Sequence, residues 1–323
     1  MDTIHWLLDS DPAIRWQAMR DLTEALPAAV AAERARVPRE GIGAAILTRQ
    51  EADGSWRRDD GPVWLPTLFT MLLLRATGAD PADPAVEAAV ARTEAALRWN
   101  DEPGCWELRR ADFRCVPAGS HGCKPGGNLF FEGEEEPCIN GGVLALGAWF
   151  GRPTESLARR LMGEQLEDGG WNCEAPKSRR SSFHTTICVL EGLLEYQRAA
   201  GSSPQLRDQI AAARRGGEEY LLERSLFRRR STGEVVDPAF LKFAFPPRYC
   251  YDVLRALDYF RAAGISPDAR CGEAIEFVES RRQDDGRWLL DDTHNEALAV
   301  PFNESAGEPS RWNTLRALRV LRW

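Results

Sequence analysis

Five segments of the chain open on a loop, proline or serine and then carry apolar residues at three-to-four spacing. They are "PVWLPTLFTMLLLRATG", "EPCINGGVLALGAWFG", "SSFHTTICVLEGLLEY", "PPRYCYDVLRALDYFRAAG" and "PSRWNTLRALRVLRW". The spacing predicts helices, and the apolar positions run so far round each that the helices are expected to be buried on nearly every side. "DPAIRWQAMRDL", at 11–22, has the same character and makes a sixth. Between them lie segments with a helical but more polar pattern, at 84–99, 154–166, 204–224 and 268–283. Runs that alternate apolar and polar residues are scarce, so an all-α protein is predicted.

The joints between these segments repeat. The pattern Q-x-x-x-G-x-W occurs in full as "QEADGSW" at 50–56 and "QLEDGGW" at 165–171. With the first residue changed it recurs as "NDEPGCW" at 100–106 and "RQDDGRW" at 282–288, and "ERSLF" near 226 fills a degenerate fifth slot. Copies 50 to 65 residues apart suit two helices and their connections. Six inner and five outer helices follow, and each hairpin can bury its apolar face only against its neighbours. One domain over 1–323 is therefore predicted, an α/α toroid of five to six helical hairpins, with a linear solenoid as the rival arrangement. In the toroid all inner-helix N-termini point to one end, where free N–H groups and helix dipoles favour anions. Trp56, Trp106, Trp171 and Trp288 follow glycine at fixed spacing and read as structural ties between repeats.

Composition narrows the function. The 323 residues are 43% hydrophobic, enough for a large core, and the net charge of −8 speaks against a nucleic-acid partner. The longest apolar run, "LFTMLLL", is far too short to span a bilayer, and "MDTIHWLLDS" has acids where a signal peptide has bases. A cytoplasmic location is expected, with the eight cysteines reduced and free to serve as core thiols, metal ligands or nucleophiles.

The glutamine–tryptophan repeat resembles that of squalene–hopene cyclases and of protein prenyltransferase β subunits, over most of the chain. "GGWNCEAPKSRRSSFHTTICVLEGL" is similar to the prenyltransferase segment in which a histidine opens an inner helix and binds zinc. The resemblance implies that His184 is such a ligand. It places the partners of His184 one inner helix earlier, where that family has Asp-x-Cys and this chain has Glu136-x-Cys138. Cys138 and His184 lie one repeat apart, and Glu136 or Cys173 would complete the set. Thiolate, imidazole and carboxylate suit a tetrahedral Zn2+ with one open position, which is the mark of a catalytic site. The resemblance also implies an isoprenoid or other apolar small molecule as substrate, and a helical protein partner. The chain departs from the family in having "FFEGEEE" where prenyltransferases place bases that hold a lipid diphosphate. Lys124, Lys177 or Arg179 would have to substitute.

Other residues remain open. Trp64, Phe183, Tyr249, Tyr251 and Trp312 cluster at inner-helix beginnings, where aromatic faces can line an apolar pocket or simply pack the core. Asp252 and Tyr251 are candidate catalytic residues at another inner-helix start, although an aspartate there also suits an N-cap. The Asp-x-Asp-Asp tetrapeptide of class II cyclases is absent, and "DDTHNE" at 291–296 is only weakly similar to the acidic motif of class I terpene synthases. The aperiodic stretch 107–136 is a candidate lid, and its Cys115, His121 and Cys123 form a second candidate metal cluster. Three functions stand: a zinc-dependent, prenyltransferase-like transferase, a terpene-cyclase-like enzyme without that zinc, and a toroid that only binds lipid or protein.

Overall fold

A computed structural model describes residues 2–58, 64–99, 128–199, 203–294 and 298–323. Thirteen α-helices are found among them. They are α1 (Thr3–Leu8), α2 (Pro12–Leu22), α3 (Pro27–Arg34), α4 (Gly41–Thr48), α5 (Trp64–Ala76), α6 (Pro84–Ala96), α7 (Pro137–Trp149), α8 (Glu155–Gly163), α9 (Phe183–Arg198), α10 (Pro204–Leu222), α11 (Val253–Ala262), α12 (Gly272–Ser280) and α13 (Arg311–Leu321). The only sheet among the described residues is a two-residue ribbon, Arg98–Trp99 against Asn128–Leu129, so the all-α expectation holds. No helix among them is long and apolar enough to cross a membrane. The stretch 107–127 lies outside the described residues, and with it the candidate cluster Cys115, His121 and Cys123, as well as Lys124.

Helices α2, α5, α7, α9, α11 and α13 are the inner set, and they close into a ring. At the closure, the Arg319 guanidinium donates to Gln17 Oε1 at 2.9 Å, and Arg322 donates to the Leu22 carbonyl at 2.8 Å. This joins the last inner helix to the first and excludes the linear solenoid. Bonds between matching positions run the inner helices parallel. The Tyr251 amide meets His184 at one end of α9, and Arg198 meets the Ala262 carbonyl at the other.

The repeat motif makes the joints. Trp56, Trp171 and Trp288 are fully buried. Each donates its Nε1–H to a carbonyl ten residues back, on the outer helix just completed: Ile46, Leu161 and Val278, at 2.8, 2.6 and 2.7 Å. The backbone N–H of each tryptophan donates to a threonine of the next inner helix, Thr67, Thr186 or Thr314, at 3.0 Å. The side chain of Gln165 donates to the Gly169 carbonyl within its own turn and to the Ala213 carbonyl of α10, which joins one repeat to the next. Gly169 sits at φ +93, a left-handed conformation that a side chain would strain.

One contact between inner helices needs glycine on both sides. A Cβ on Gly141 would lie 2.3 Å from the Cys188 carbonyl oxygen, and one on Gly192 would lie 2.4 Å from that of Gly141. Glycine at both positions lets α7 and α9 cross backbone to backbone. The first turn of α7 is thereby drawn against the turn that precedes α9.

Candidate metal centre and cavity

The first turn of α7 begins with Glu136 as N-cap residue and Pro137 as its first helical residue, where a missing N–H costs nothing. The acidic loop ahead of it is pinned. Buried Asn140 accepts from the Glu134 N–H at 2.7 Å and donates to the Glu134 carbonyl at 2.8 Å, while Arg160 donates to the carbonyls of Glu134 and Glu135. Cys138, one residue into the helix from Pro137, faces Cys173 across the tight α7–α9 contact.

Glu136, Cys138 and Cys173 bring one ligand atom each to within 4.8 Å of one another. The two Sγ atoms are 2.9 Å apart, with Cys138 Sγ 3.7 Å from Glu136 Oε2 and Cys173 Sγ 3.4 Å from the Thr185 hydroxyl. The thiols do not ionise alike. The hydrogen bond between them eases the first proton off Cys173, and that same bond, followed by burial, holds Cys138 in its thiol form.

His184 stays outside this group. Its Nδ1 accepts the Tyr251 N–H at 2.9 Å, and its ring sits edge-on to Phe240. A neutral imidazole whose Nδ1 accepts carries its proton on Nε2, so neither nitrogen offers a lone pair to an ion. Histidine at a helix start here orients the next inner helix. Burial first, then the Arg255 charge, lowers its pKa. The unfolded chain therefore binds the proton more readily, and the stability His184 confers is complete above about pH 6.5 and lost as pH falls through the lower folded value. Denaturation profiles are expected to show stability falling below about pH 6.5, less steeply in His184→Gln. An unchanged slope in that variant would refute this account.

A cavity of about 350 Å³ runs along the toroid axis, and Cys138 is in its wall. Leu68, Phe69, Leu72, Ile139 and Leu194 make an apolar side, and Trp312 adds a ring stacked on Phe245 with centroids 4.3 Å apart. Tyr249 is also in the wall, with the Arg248 guanidinium over its ring.

Several residues expected at the site take other positions. Phe183 is buried against Tyr220, Phe240 and Tyr251, and Trp64 packs on Trp99; neither is part of the cavity wall. The Tyr251 hydroxyl donates to the Leu226 carbonyl, tying the degenerate repeat slot where a tryptophan would otherwise stand. Asp252 caps α11 by accepting the Arg255 N–H at 2.7 Å, and lies 3.7 Å from Arg316. Burial raises its pKa, but the carboxyl sits behind the wall. Lys177 and Arg179 are exposed and take no part in the cavity.

The arginines of the cavity were not foreseen. Arg20, Arg75, Arg198, Arg248, Arg255, Arg261, Arg316 and Arg319 all contribute to its wall, against Glu191, Glu195 and Asp258. A signal exists in the sequence: "RATG" at 75–78 and "RAAG" at 198–201 and 261–264 end three inner helices alike.

No family model matches the sequence, and no curated protein does. Among solved structures, a protein from Actinoplanes is similar at 16% identity and a TM-score of 0.45, over 96% of this chain and 88% of that one. The type II terpene cyclase MstE from Scytonema, in its apo form, is similar at 16% identity and a TM-score of 0.43, over 92% of this chain and 82% of that one.

Proposed function

We propose that this protein is a zinc-dependent enzyme of the transferase kind, acting on an isoprenoid-type or similarly apolar chain held in the toroid cavity. The observation that carries this reading is the convergence of Glu136, Cys138 and Cys173, with Cys138 in the wall of that cavity. Two sulfurs and a carboxylate oxygen are a donor set that zinc accepts, and three protein ligands leave a fourth position open. In a tetrahedral site with Zn–S bonds of about 2.3 Å the sulfurs stand about 3.7 Å apart, so binding needs the thiols to part by under about 1 Å. Bound zinc lowers the pKa of a thiol or water in its open position and makes it a nucleophile at neutral pH.

The chain's own residues would do the rest. The apolar side, Leu68 to Leu72 with Ile139, excludes water and lays a chain along the axis. The Phe245–Trp312 stack is a rigid wall for it. Cyclisation through carbocations is supported less well, because Asp252 is taken up as a helix cap behind the cavity wall.

Elemental analysis of protein prepared without chelator and under reducing conditions is the test. About one zinc per chain is expected. It should be released as pH falls, because protons compete for the thiolates, and His184→Ala should retain it. Protein that holds no zinc even after exposure to the ion would overturn the reading.

A further inference from the structure

At the end of the cavity opposite Cys138, eleven residues further along α7 and so about 16 Å away by helical rise, the inner helices finish. Arg20, Arg75, Arg198, Arg261 and Arg319 lie there, each in or beside the last turn of its helix. An arginine in a last turn is the ordinary complement to a helix dipole. Two observations go beyond that.

The first is the pairing. Arg20 and Arg319 share Asp21, Arg75 and Arg198 share Glu195, and Arg261 pairs with Asp258. Five guanidiniums thus divide three carboxylates, which leaves two positive charges without a carboxylate of their own. Deeper in, Arg255 is matched by Glu191 and Arg316 faces Asp252, one carboxylate to each guanidinium. The second observation is that the Nε–H groups of Arg75 and Arg319 are buried and have no hydrogen-bond partner. Each shares its carboxylate with a second arginine, and Arg319 is only 8% exposed. A helix dipole eases a charge but supplies no acceptor for a particular N–H, and a buried charged donor left unmade is costly. Burial lowers the pKa of Arg319, and the nearby Asp258 and Asp21, which raise it, weigh more than Arg261 and Arg20.

We propose that this arginine-lined end of the cavity is a binding site for a phosphate-type dianion. Such a group carries the missing charge, and its oxygens match the fork of a guanidinium. The site is separate from the thiol centre and does not depend on a metal there. The adjoining wall of Leu72, Leu73 and Ala76 on α5 is apolar, so the dianion can be free phosphate or the headgroup of a small amphiphile.

Calorimetric titration of the full chain separates these sources. Inorganic phosphate is expected to bind where chloride of equal ionic strength does not. Monooctyl phosphate binding roughly 10-fold tighter or more would mark an amphiphile headgroup; equal affinities would mark a site for the free anion. Arg75→Gln and Arg319→Gln should each weaken phosphate binding about 10-fold or more, while Cys138→Ser leaves it unchanged. Should Arg319→Gln fail to fold, Arg198→Gln, whose side chain is half exposed, is expected to fold and to show the same loss in smaller measure. The proposal is overturned if both inorganic phosphate and monooctyl phosphate fail to bind above the chloride background, or if their binding is indifferent to Arg75→Gln and to the second variant.

Discussion

Serine in place of Cys138 or Cys173 is expected to weaken zinc binding by roughly 10²- to 10³-fold. Structural zinc sites with four protein ligands are worth about 10–16 kcal/mol, so each ligand accounts for about 2.5–4 kcal/mol. Serine keeps the shape of the side chain but offers a hydroxyl that zinc holds poorly at neutral pH. Both side chains sit between the start of α7 and the turn before α9, where no large packing contact is lost. The variants are therefore expected to fold as the parent does, and elemental analysis with chelator competition reads the effect directly. Glu136→Gln keeps an oxygen donor without the charge and should lose less. If either serine variant keeps its zinc at parental affinity, the ion sits elsewhere, and the transferase reading loses the observation that carries it.

The largest loss of stability is expected from Trp171→Ala, at about 3–5 kcal/mol. The ring is fully buried, and a Cβ at Gly217 would lie only 2.7 Å from it. Removal leaves a void that rigid helices on both sides cannot fill, and takes from the Leu161 carbonyl its shorter hydrogen bond, leaving the 3.3 Å one from the Glu164 N–H. Chemical denaturation followed by helical circular dichroism measures the cost. Trp56→Ala and Trp288→Ala break the same bond in other repeats and should cost about as much. Trp171→Ala carries a second consequence that they do not: Cys173 lies two residues on, so metal affinity should fall with stability only in this variant. A cost below about 1 kcal/mol would mean that the repeat tryptophans are not the ties described above.

The ladder of tryptophans was legible before any coordinates because it depends on spacing alone. A residue that must reach back ten positions and also meet the next helix recurs wherever a hairpin recurs. The inner helices were legible for a related reason, since a helix buried nearly all round carries apolar residues on every face. Their observed bounds fall within the segments that the pattern marks, from Trp64–Ala76 to Arg311–Leu321, except that α9 runs two residues further, to Arg198.

The candidate ligand group was legible only in part. The family resemblance, followed along the repeat, placed Cys138 and Glu136 at the start of an inner helix. It placed His184 at the same position on the next helix, and a helix position says nothing of where a side chain turns. The Tyr251 N–H decides that, and it comes from a segment 67 residues away. Cys173 gains its place from the close passage of α7 over α9, which two glycines permit and no local pattern announces.

By itself the sequence determined an all-α chain, the alternation of inner and outer helices and the role of the repeat motif, because period and spacing are local properties of a helix and its turn. Ring closure, the pairing of Cys138 with Cys173 and the gathering of five arginines at one end of the cavity were decided by the tertiary structure. Each joins residues from different repeats, and a contact between distant segments exists only once the packing of the whole ring has set the distance.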